Sequence, residues 1–250
     1  MHPQRLFLLT LCSLLLFSPL ALGLEETTYT YKDQPQVVQY EFLAPAGELD
    51  RPLPVIICVD GLNQRGDVYI HSGTERCFQY WKEFAEETNL GLLSVGFLFK
   101  PEHWEAKESY QHAQAWSGQA MIAILEELAK QNPIDPNQLY LFGISAGAQF
   151  VVRFAQYWPD RVKAVAAHAA GGFDEPTEFI SPKFLITVGE LDNKDITRVE
   201  WAQFFTKKAH AKGIDVRLVI VPAIGHEQTE KQNELSQQFF LEILKDNQKP

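Results

Sequence analysis

Apolar positions along the chain follow two different periods, and segments with the two periods alternate along most of its length. The run at residues 54–59 is apolar throughout, which is typical of a strand that is buried on both faces. Between such runs lie longer segments in which apolar residues recur every three or four positions, as on the buried side of a helix. Strands are predicted at 27–31, 37–42, 54–59, 92–97, 138–142, 162–167, 183–188 and 214–221.

The segments between these strands have helical periodicity. Strands that alternate with helices predict an α/β fold, with a mostly parallel central sheet covered by helices on both faces. The first two strands predict a hairpin at the sheet edge. Functional sites in such sheets lie beyond the carboxyl ends of the strands. Helices are predicted at 74–88, 114–131, 197–212 and 232–244, with a further amphipathic helix around 149–154.

Residues 1–23 have the pattern of a secretory signal peptide. Arg5 provides a basic start, an apolar stretch follows, and Ala21 and Gly23 are small residues at the expected cleavage site. The mature chain is therefore expected to comprise residues 24–250 as a single domain, secreted or periplasmic and without a membrane span. An N-terminal anchor that is not cleaved is the alternative.

Composition narrows the classes of function. The 250 residues are 46% hydrophobic and 22% charged, so that one domain with a sizeable core can form. A net charge of −10 argues against nucleic acid and anionic membranes as binding partners. No pair of His or Cys residues has the spacing of metal ligands, and a metal site is not expected. The oligomeric state stays open.

Two cysteines, Cys58 and Cys77, remain after removal of the predicted signal peptide. Export permits a disulfide between them. Cys58 falls in the apolar run of a strand predicted to be buried, so that two buried thiols are the alternative. The sequence leaves both possibilities open.

Residues 143–147 read Gly-Ile-Ser-Ala-Gly and lie between a predicted strand and a predicted helix. Such a pentapeptide in that setting is similar to the nucleophile elbow of the α/β-hydrolase superfamily. The sharp turn leaves room only for small residues two positions before and after the serine, which accounts for Gly143 and Gly147. Ser145 is then held above the sheet at a helix N-terminus, where a developing anion is favoured.

A serine hydroxyl becomes a strong nucleophile when a base accepts its proton and an acid orients that base. In the α/β-hydrolase superfamily the acid follows the nucleophile along the chain, shortly after a strand. Asp192 meets this requirement and is the predicted acid. The neighbouring carboxylates of Glu190, Asp195 and Glu200 are alternatives.

The base of that superfamily is a histidine that follows the last strand. His226 lies there, after a glycine and before the last predicted helix, and is the predicted base. His168 ends the strand after the elbow and could line the pocket. It precedes the acid along the chain, so that a base at this position would break the expected order.

The negative charge that develops on a substrate carbonyl needs hydrogen-bond donors that are already in position. The backbone N–H of Ala146, the residue after the nucleophile, is one predicted donor. The loop after the third strand, Asp60-Gly61-Leu62-Asn63, is expected to supply the other through Leu62 N–H, and Asn63 could add its side chain. A plain Asp-Gly turn without this role is the alternative.

Two segments extend the likeness beyond the elbow: 134–148, Ile-Asp-Pro-Asn-Gln-Leu-Tyr-Leu-Phe-Gly-Ile-Ser-Ala-Gly-Ala, and 157–165, Tyr-Trp-Pro-Asp-Arg-Val-Lys-Ala-Val. With them, residues 55–227 resemble the α/β-hydrolase superfamily, and most of all the secreted esterases grouped with polyhydroxyalkanoate depolymerases and feruloyl esterases. The resemblance implies acyl transfer to water through an acyl-serine, without a cofactor, on a small-molecule or oligomeric ester.

One position departs from that pattern. Relatives commonly carry His-Gly where this chain has Asp60-Gly61. An ionised carboxylate aimed at the oxyanion would repel the developing charge, whereas one that points away would hold the loop in place.

Other functions use the same residues. A serine peptidase of prolyl-oligopeptidase type has the same triad, although a short chain without a propeller favours esters. A non-catalytic binding protein with this fold would be expected to lack a triad member, and none of the three is missing here. Aromatic residues between Phe97 and Trp104 are candidates for lining the pocket.

Overall fold

The computed structural model describes residues 21–47, 49–65, 68–70, 74–99, 107–193 and 197–247. The signal peptide predicted for residues 1–23 thus lies almost wholly outside the described residues. The described strands are β1 (Ala21–Tyr31), β2 (Gln34–Leu43), β3 (Leu53–Val59), β4 (Asn63–Arg65), β5 (Val68–Ile70), β6 (Gly91–Phe99), β7 (Ile134–Ile144), β8 (Val162–His168), β9 (Lys183–Gly189) and β10 (Val216–Val221). The described α-helices are α1 (Thr74–Thr88), α2 (Ser117–Ala129), α3 (Ala146–Tyr157), α4 (Arg198–Ala211) and α5 (Glu230–Asp246).

The strands form one sheet in the order β1-β2-β6-β3-β7-β8-β9-β10. The strands from β6 to β10 in this order are parallel to one another. β2 pairs antiparallel with β6, and β1 pairs antiparallel with β2 at the edge of the sheet. The predicted α/β fold with a mostly parallel sheet is confirmed. The predicted edge hairpin is confirmed: β1 and β2 pair antiparallel, with β1 at the edge and β2 joined to β6 on its other side. The short pair β4 and β5, attached to the end of β6, was not predicted.

Helices pack on both faces of the sheet, and each face has its own core. Successive residues of β3 alternate between the two, since Ile57 belongs to the core that includes residues of α2, α3 and α4, and Cys58 to the core that includes residues of α1 and α5. Trp81 of α1 is fully buried, with its ring 5.0 Å from that of Phe142 and 5.3 Å from that of Phe240. Burying one such side chain stabilises the fold by about 1.5–3 kcal/mol. No helix within the described ranges is long and apolar enough to span a membrane.

Most predicted boundaries lie within a few residues of the observed ones, and α1 spans the predicted range. Helix α2 begins later than predicted, because Trp116 has a φ of −155° and its indole N–H donates to the Glu108 carbonyl, 2.8 Å away. Strand β10 likewise begins at Val216 rather than at residue 214.

Cys58 and Cys77 form a disulfide between β3 and the first turn of α1. Both residues are buried. Of the two possibilities that the sequence left open, the structure has the disulfide and not the pair of free thiols. The bond closes a segment with a sequence separation of 19, which includes the loop that follows β3.

The register of the parallel strands brings their carboxyl ends to one edge of the sheet. Val59 of β3 lies beside Gly143 of β7, and His168 at the end of β8 lies beside Thr187 of β9. Gly189, at the end of β9, lies beside the last residue of β10. The segments that leave these strands therefore meet above the same edge, and they carry Leu62, Ser145, Asp192 and His226.

Candidate active site

Ser145 stands alone between the end of β7 and the start of α3. Its φ of 52° lies in the left-handed region, which non-glycine residues seldom adopt and which is common at functional sites. The Ser145 N–H donates to the carbonyl oxygen of His168 at 2.7 Å, which fixes the strained residue to the end of β8. The serine is thus held at the strand-to-helix turn that the pentapeptide predicts.

Gly143 and Gly147 are required by close backbone contacts on either side of the serine. A Cβ at position 143 would lie 2.4 Å from the carbonyl oxygen of Gly147. A Cβ at position 147 would lie 2.1 Å from the carbonyl oxygen of Val59. Both distances are well below van der Waals contact, so any side chain at either position would force the turn apart.

His226 lies between the serine and a carboxylate. Its Nε2 is 3.2 Å from the Ser145 hydroxyl oxygen, and its Nδ1 is 2.9 Å from Oδ2 of Asp192. A carboxylate only accepts hydrogen bonds, so the hydrogen of the neutral ring belongs on Nδ1. Nε2 then has a free lone pair directed at the serine hydroxyl, which is the arrangement a general base requires.

Asp192 is buried, and both of its carboxylate oxygens have a partner. Oδ2 accepts from His226, while Oδ1 accepts from Nη1 of Arg198 at 3.0 Å. Arg198 is itself only 13% exposed, so the charge of Asp192 is balanced within the protein interior. This contact was not predicted, since an arginine in the first turn of α4 gives no local sign of its partner in the sequence.

The alternative acids have other surroundings. The Glu190 carboxylate accepts the backbone N–H of Ala223 at 3.0 Å, at the turn after β10. Glu200 lies in the first turn of α4, and Asp195 lies outside the described residues. Among the described carboxylates, the one in contact with His226 is that of Asp192.

The loop after β3 passes directly over the serine. A Cβ on Gly61 would lie 3.2 Å from Cβ of Ser145, so the backbone here lies close to the serine side chain. Leu62 follows and is half-buried. Its N–H has no acceptor among the residues that the structure describes. The same is true of the Ala146 N–H at the start of α3. Two amides are therefore available next to Ser145. The side chain of Asn63 lies outside the described residues.

Asp60 does not present a free carboxylate to the serine. Its Oδ2 accepts from Nε of Arg76 at 2.8 Å, and its Oδ1 accepts from Nη2 of Arg76 and from the backbone N–H of Gly61, the latter at 2.6 Å. Asp60 is buried, whereas the arginine side chain is about half exposed. The carboxylate is thus neutralised by an arginine and holds the loop, the second of the two roles considered for it.

An open pocket of about 380 Å³ lies over the serine. Its walls are formed by residues 60–62, by Arg76, and by residues 226–228 beside Ser145. None of the described residues that line it is Phe, Tyr or Trp. Phe97 was a candidate for lining it, but that residue is fully buried in the core; residues 100–106 lie outside the described residues.

His168 is buried behind the pocket wall. Its Nε2 is 2.9 Å from the carbonyl oxygen of Glu227, and its Nδ1 is 2.8 Å from the Thr187 hydroxyl oxygen. Burial lowers the pKa of His168 to about 4, so the ring is neutral at ordinary pH. The next residue, Ala169, forms part of the pocket wall instead. Within the described residues, no group of three or more His, Cys, Asp or Glu side chains could hold a metal ion.

Comparison with known proteins identifies the class of fold. No protein-family model and no curated protein matches the sequence. Solved structures do match: the poly(3-hydroxybutyrate) depolymerase LpqC from Bordetella parapertussis has a TM-score of 0.60 at 19% identity, over 91% of this chain and 92% of that chain. An S-formylglutathione hydrolase from Agrobacterium tumefaciens has a TM-score of 0.64 at 14% identity, over 92% of this chain and 96% of that chain.

A third similar structure is the poly(aspartic acid) hydrolase-1 from Sphingomonas sp. KT-1, with a TM-score of 0.58 at 17% identity, over 88% of this chain and 97% of that one. Likeness at these identities is a likeness of fold. Together with the strand order and the strand-to-helix turn at Ser145, it shows that this chain has the α/β-hydrolase fold.

Proposed function

We propose that the protein is a secreted serine hydrolase that cleaves carboxylic esters through an acyl-serine intermediate. The observation that carries the proposal is the chain of two hydrogen bonds, 3.2 Å from Ser145 Oγ to His226 Nε2 and 2.9 Å from His226 Nδ1 to Asp192. A serine, a histidine and a buried carboxylate in this sequence of contacts form the arrangement by which a hydroxyl is activated for acyl transfer.

In the proposed reaction, Ser145 Oγ attacks the ester carbonyl carbon while His226 Nε2 accepts the hydroxyl proton. Asp192 holds the ring in the required tautomer and stabilises its charged form. The oxygen of the tetrahedral intermediate accepts hydrogen bonds from the N–H groups of Leu62 and Ala146. His226 returns the proton to the leaving alcohol, and a water molecule, activated by the same base, then releases the acid from Ser145.

The size of the pocket and its opening to solvent support small substrates or single units of longer ones. A volume of about 380 Å³ is at the lower end of the range for small-molecule sites, roughly 300–1,000 Å³. The pocket is also open to solvent, which suits a single unit of a longer ester as well as a small molecule. The similar structures named as a poly(3-hydroxybutyrate) depolymerase and as an S-formylglutathione hydrolase support esters and thioesters as substrates.

Hydrolysis of amides is the second candidate. The similarity to a poly(aspartic acid) hydrolase is the observation that favours it, because that polymer is joined by amide bonds. Amines are poorer leaving groups than alcohols, so an amidase must protonate the departing nitrogen efficiently. Rates on p-nitroanilides and p-nitrophenyl esters with the same acyl group separate the two candidates.

Export is part of the proposal. The pattern of residues 1–23 supports it, and so does the disulfide between Cys58 and Cys77, because such bonds persist mainly in oxidising compartments. Sequencing the N-terminus of the protein recovered from the producing cell tests it. A mature chain that begins near residue 24 is expected, and an intact Met1 on a cytoplasmic protein would contradict export.

The experiment that tests the proposed function measures steady-state rates on p-nitrophenyl acetate, butyrate and octanoate. The wild type is expected to hydrolyse the short esters, and Ser145→Ala is expected to reduce kcat by roughly 10⁴-fold or more. Ser236→Ala is the matched control, since Ser236 is a buried serine of α5 that does not line the pocket and whose hydroxyl donates to the Gln232 carbonyl. A folded wild type without turnover on esters or anilides would favour a binding protein.

A further inference from the structure

His168 makes one hydrogen bond to Ser145 and another to Glu227, the residue that follows His226. Its backbone carbonyl accepts the N–H of Ser145 at 2.7 Å. Its side chain reaches across the pocket wall to the carbonyl oxygen of Glu227, the residue next to His226, at 2.9 Å. One buried residue therefore connects the backbone of the nucleophile with the backbone beside the base.

The neighbours of the His168 ring determine which of its nitrogens carries the hydrogen. The Glu227 carbonyl can only accept, so Nε2 must donate to it. Nδ1 then accepts from the Thr187 hydroxyl, 2.8 Å away. Both ring nitrogens are satisfied in one tautomer only, and the ring is held in one orientation. Burial, which lowers the pKa of this histidine to about 4, keeps that tautomer neutral at ordinary pH.

The backbone around His168 is also fixed. Ala169 has a φ of 53°, in the left-handed region, and its N–H donates to the Thr187 carbonyl at 2.9 Å. Thr187 therefore holds residues 168 and 169 by both its hydroxyl and its carbonyl. A position held in this way can act as a rigid support for other groups.

The loop that carries His226 needs such a support. Residue 226 lies outside the helices and strands, and its side chain is 41% exposed. On the N-terminal side the loop is held by the Leu191 N–H, which donates to the Ile224 carbonyl at 2.8 Å. On the C-terminal side the nearest such bond is the one from His168 to Glu227. A shift of the ring by 1 Å would break the 3.2 Å contact with Ser145.

We propose that His168 is a positioning residue that sets the separation of Ser145 and His226 through its hydrogen bond to the Glu227 carbonyl. The inference rests on the proposed function, because the separation matters only if the pair reacts. His168 itself does not line the pocket, although Glu227, which it holds, does. Because the bond fixes the backbone next to His226, kcat is expected to respond to its loss more than KM.

The test compares His168→Asn with His168→Gln. A glutamine amide nitrogen can occupy the place of Nε2 and donate to the Glu227 carbonyl, whereas the shorter asparagine amide can replace only Nδ1. We expect Asn to lower kcat by about 10- to 100-fold with KM within about twofold of the wild type, and Gln to retain most of the activity. Thr187→Val, which removes only the donor to Nδ1, is expected to lower kcat by less, about threefold, and serves if Asn does not fold.

His210→Asn is the matched control. His210 Nε2 also donates to a backbone carbonyl, that of Val216 at 2.8 Å, but the contact lies at the opposite end of β10 from the site. Loss of the same kind of bond there is expected to leave kcat unchanged. Thermal unfolding of each variant separates loss of fold from loss of positioning.

A second readout needs no substrate. The proton shared between His226 Nδ1 and Asp192 is expected to give a downfield proton resonance in the wild type and in His168→Gln, and to broaden in His168→Asn. A folded His168→Asn with wild-type kcat, or with this resonance unchanged, overturns the inference. A wild type that shows the resonance but hydrolyses nothing would instead overturn the proposed function and leave the positioning of His226 in place.

Discussion

The guanidinium of Arg76 holds both carboxylate oxygens of Asp60, with Nε on Oδ2 at 2.8 Å and Nη2 on Oδ1. The contact joins the first turn of α1 to the loop that passes over Ser145. Asp60 also accepts the N–H of Gly61, so the carboxylate shapes the loop from within. An acidic residue next to the proposed oxyanion site is thus compatible with catalysis, because an arginine balances its charge.

We expect Arg76→Ala to lower kcat/KM for short esters by roughly 10- to 100-fold, because the released carboxylate of Asp60 would oppose the developing negative charge. The double variant Arg76→Ala/Asp60→Asn should recover much of the loss, since it removes the unbalanced charge. Steady-state kinetics at low and high salt measure both effects.

The control for that experiment is Arg217→Ala, which removes an exposed arginine that pairs with Glu242 on the surface. It should leave the rate unchanged. Equal rates in Arg76→Ala and the wild type would show that Asp60 has no electrostatic influence on the reaction.

The disulfide between Cys58 and Cys77 is expected to stabilise the fold by about 3 kcal/mol, because it closes a loop with a sequence separation of 19 and restricts the unfolded chain. The variant Cys58→Ala/Cys77→Ala should therefore unfold at lower urea concentration than the oxidised wild type. Alkylation of the denatured mature protein, followed by mass measurement, should find no free thiol before reduction and two afterwards. Two thiols before reduction would contradict the disulfide.

Arg198 is the second partner of the buried Asp192 carboxylate. Arg198→Met would leave that charge with His226 alone, and we expect the free energy of unfolding to fall by about 2–3 kcal/mol. Arg198→Lys keeps a cation nearby and should lose less than half of that amount. Urea unfolding of the three proteins gives the comparison, and an Arg198→Met variant as stable as the wild type would show that Asp192 does not need this partner.

The buried His168 makes stability depend on pH. Burial lowers its pKa from 6.5 to about 4 in the folded protein, so the unfolded chain binds the proton more readily between these values. Its contribution is fully present above pH 6.5 and is lost as the pH falls towards 4. Between about pH 7.5 and pH 5, wild-type stability should fall by about 2 kcal/mol more than that of His168→Gln. Parallel urea titrations measure the difference, and equal slopes would mean that His168 does not remain neutral.

Much of the fold could be predicted because its strands are buried on both faces. The continuous apolar run of β3 and the cap at Gly213, which has a φ of 76°, both mark elements by local sequence. The pair β4 and β5 could not be found in this way, since strands of three residues are too short to show a period. Trp116 likewise continues the helical apolar pattern but is held outside α2 by its bond to Glu108.

The site was predictable where a residue follows directly from a strand end. Ser145, Asp192 and His226 each come shortly after a strand, and parallel strands bring such positions together. The supporting contacts were not predictable. Arg76, the partner of Asp60, lies 16 residues along the chain and is brought near by the packing of α1. Glu227, the partner of His168, lies 59 residues along the chain and is brought near by the loop after β10.

Reaction with a fluorophosphonate shows whether Ser145 is an activated nucleophile. Intact mass and peptide mapping of the mature protein should show one adduct, on Ser145, in the folded wild type. Ser145→Ala and heat-denatured wild type should show none. Folded wild type that stays unmodified, or an adduct that persists in Ser145→Ala, would contradict the account.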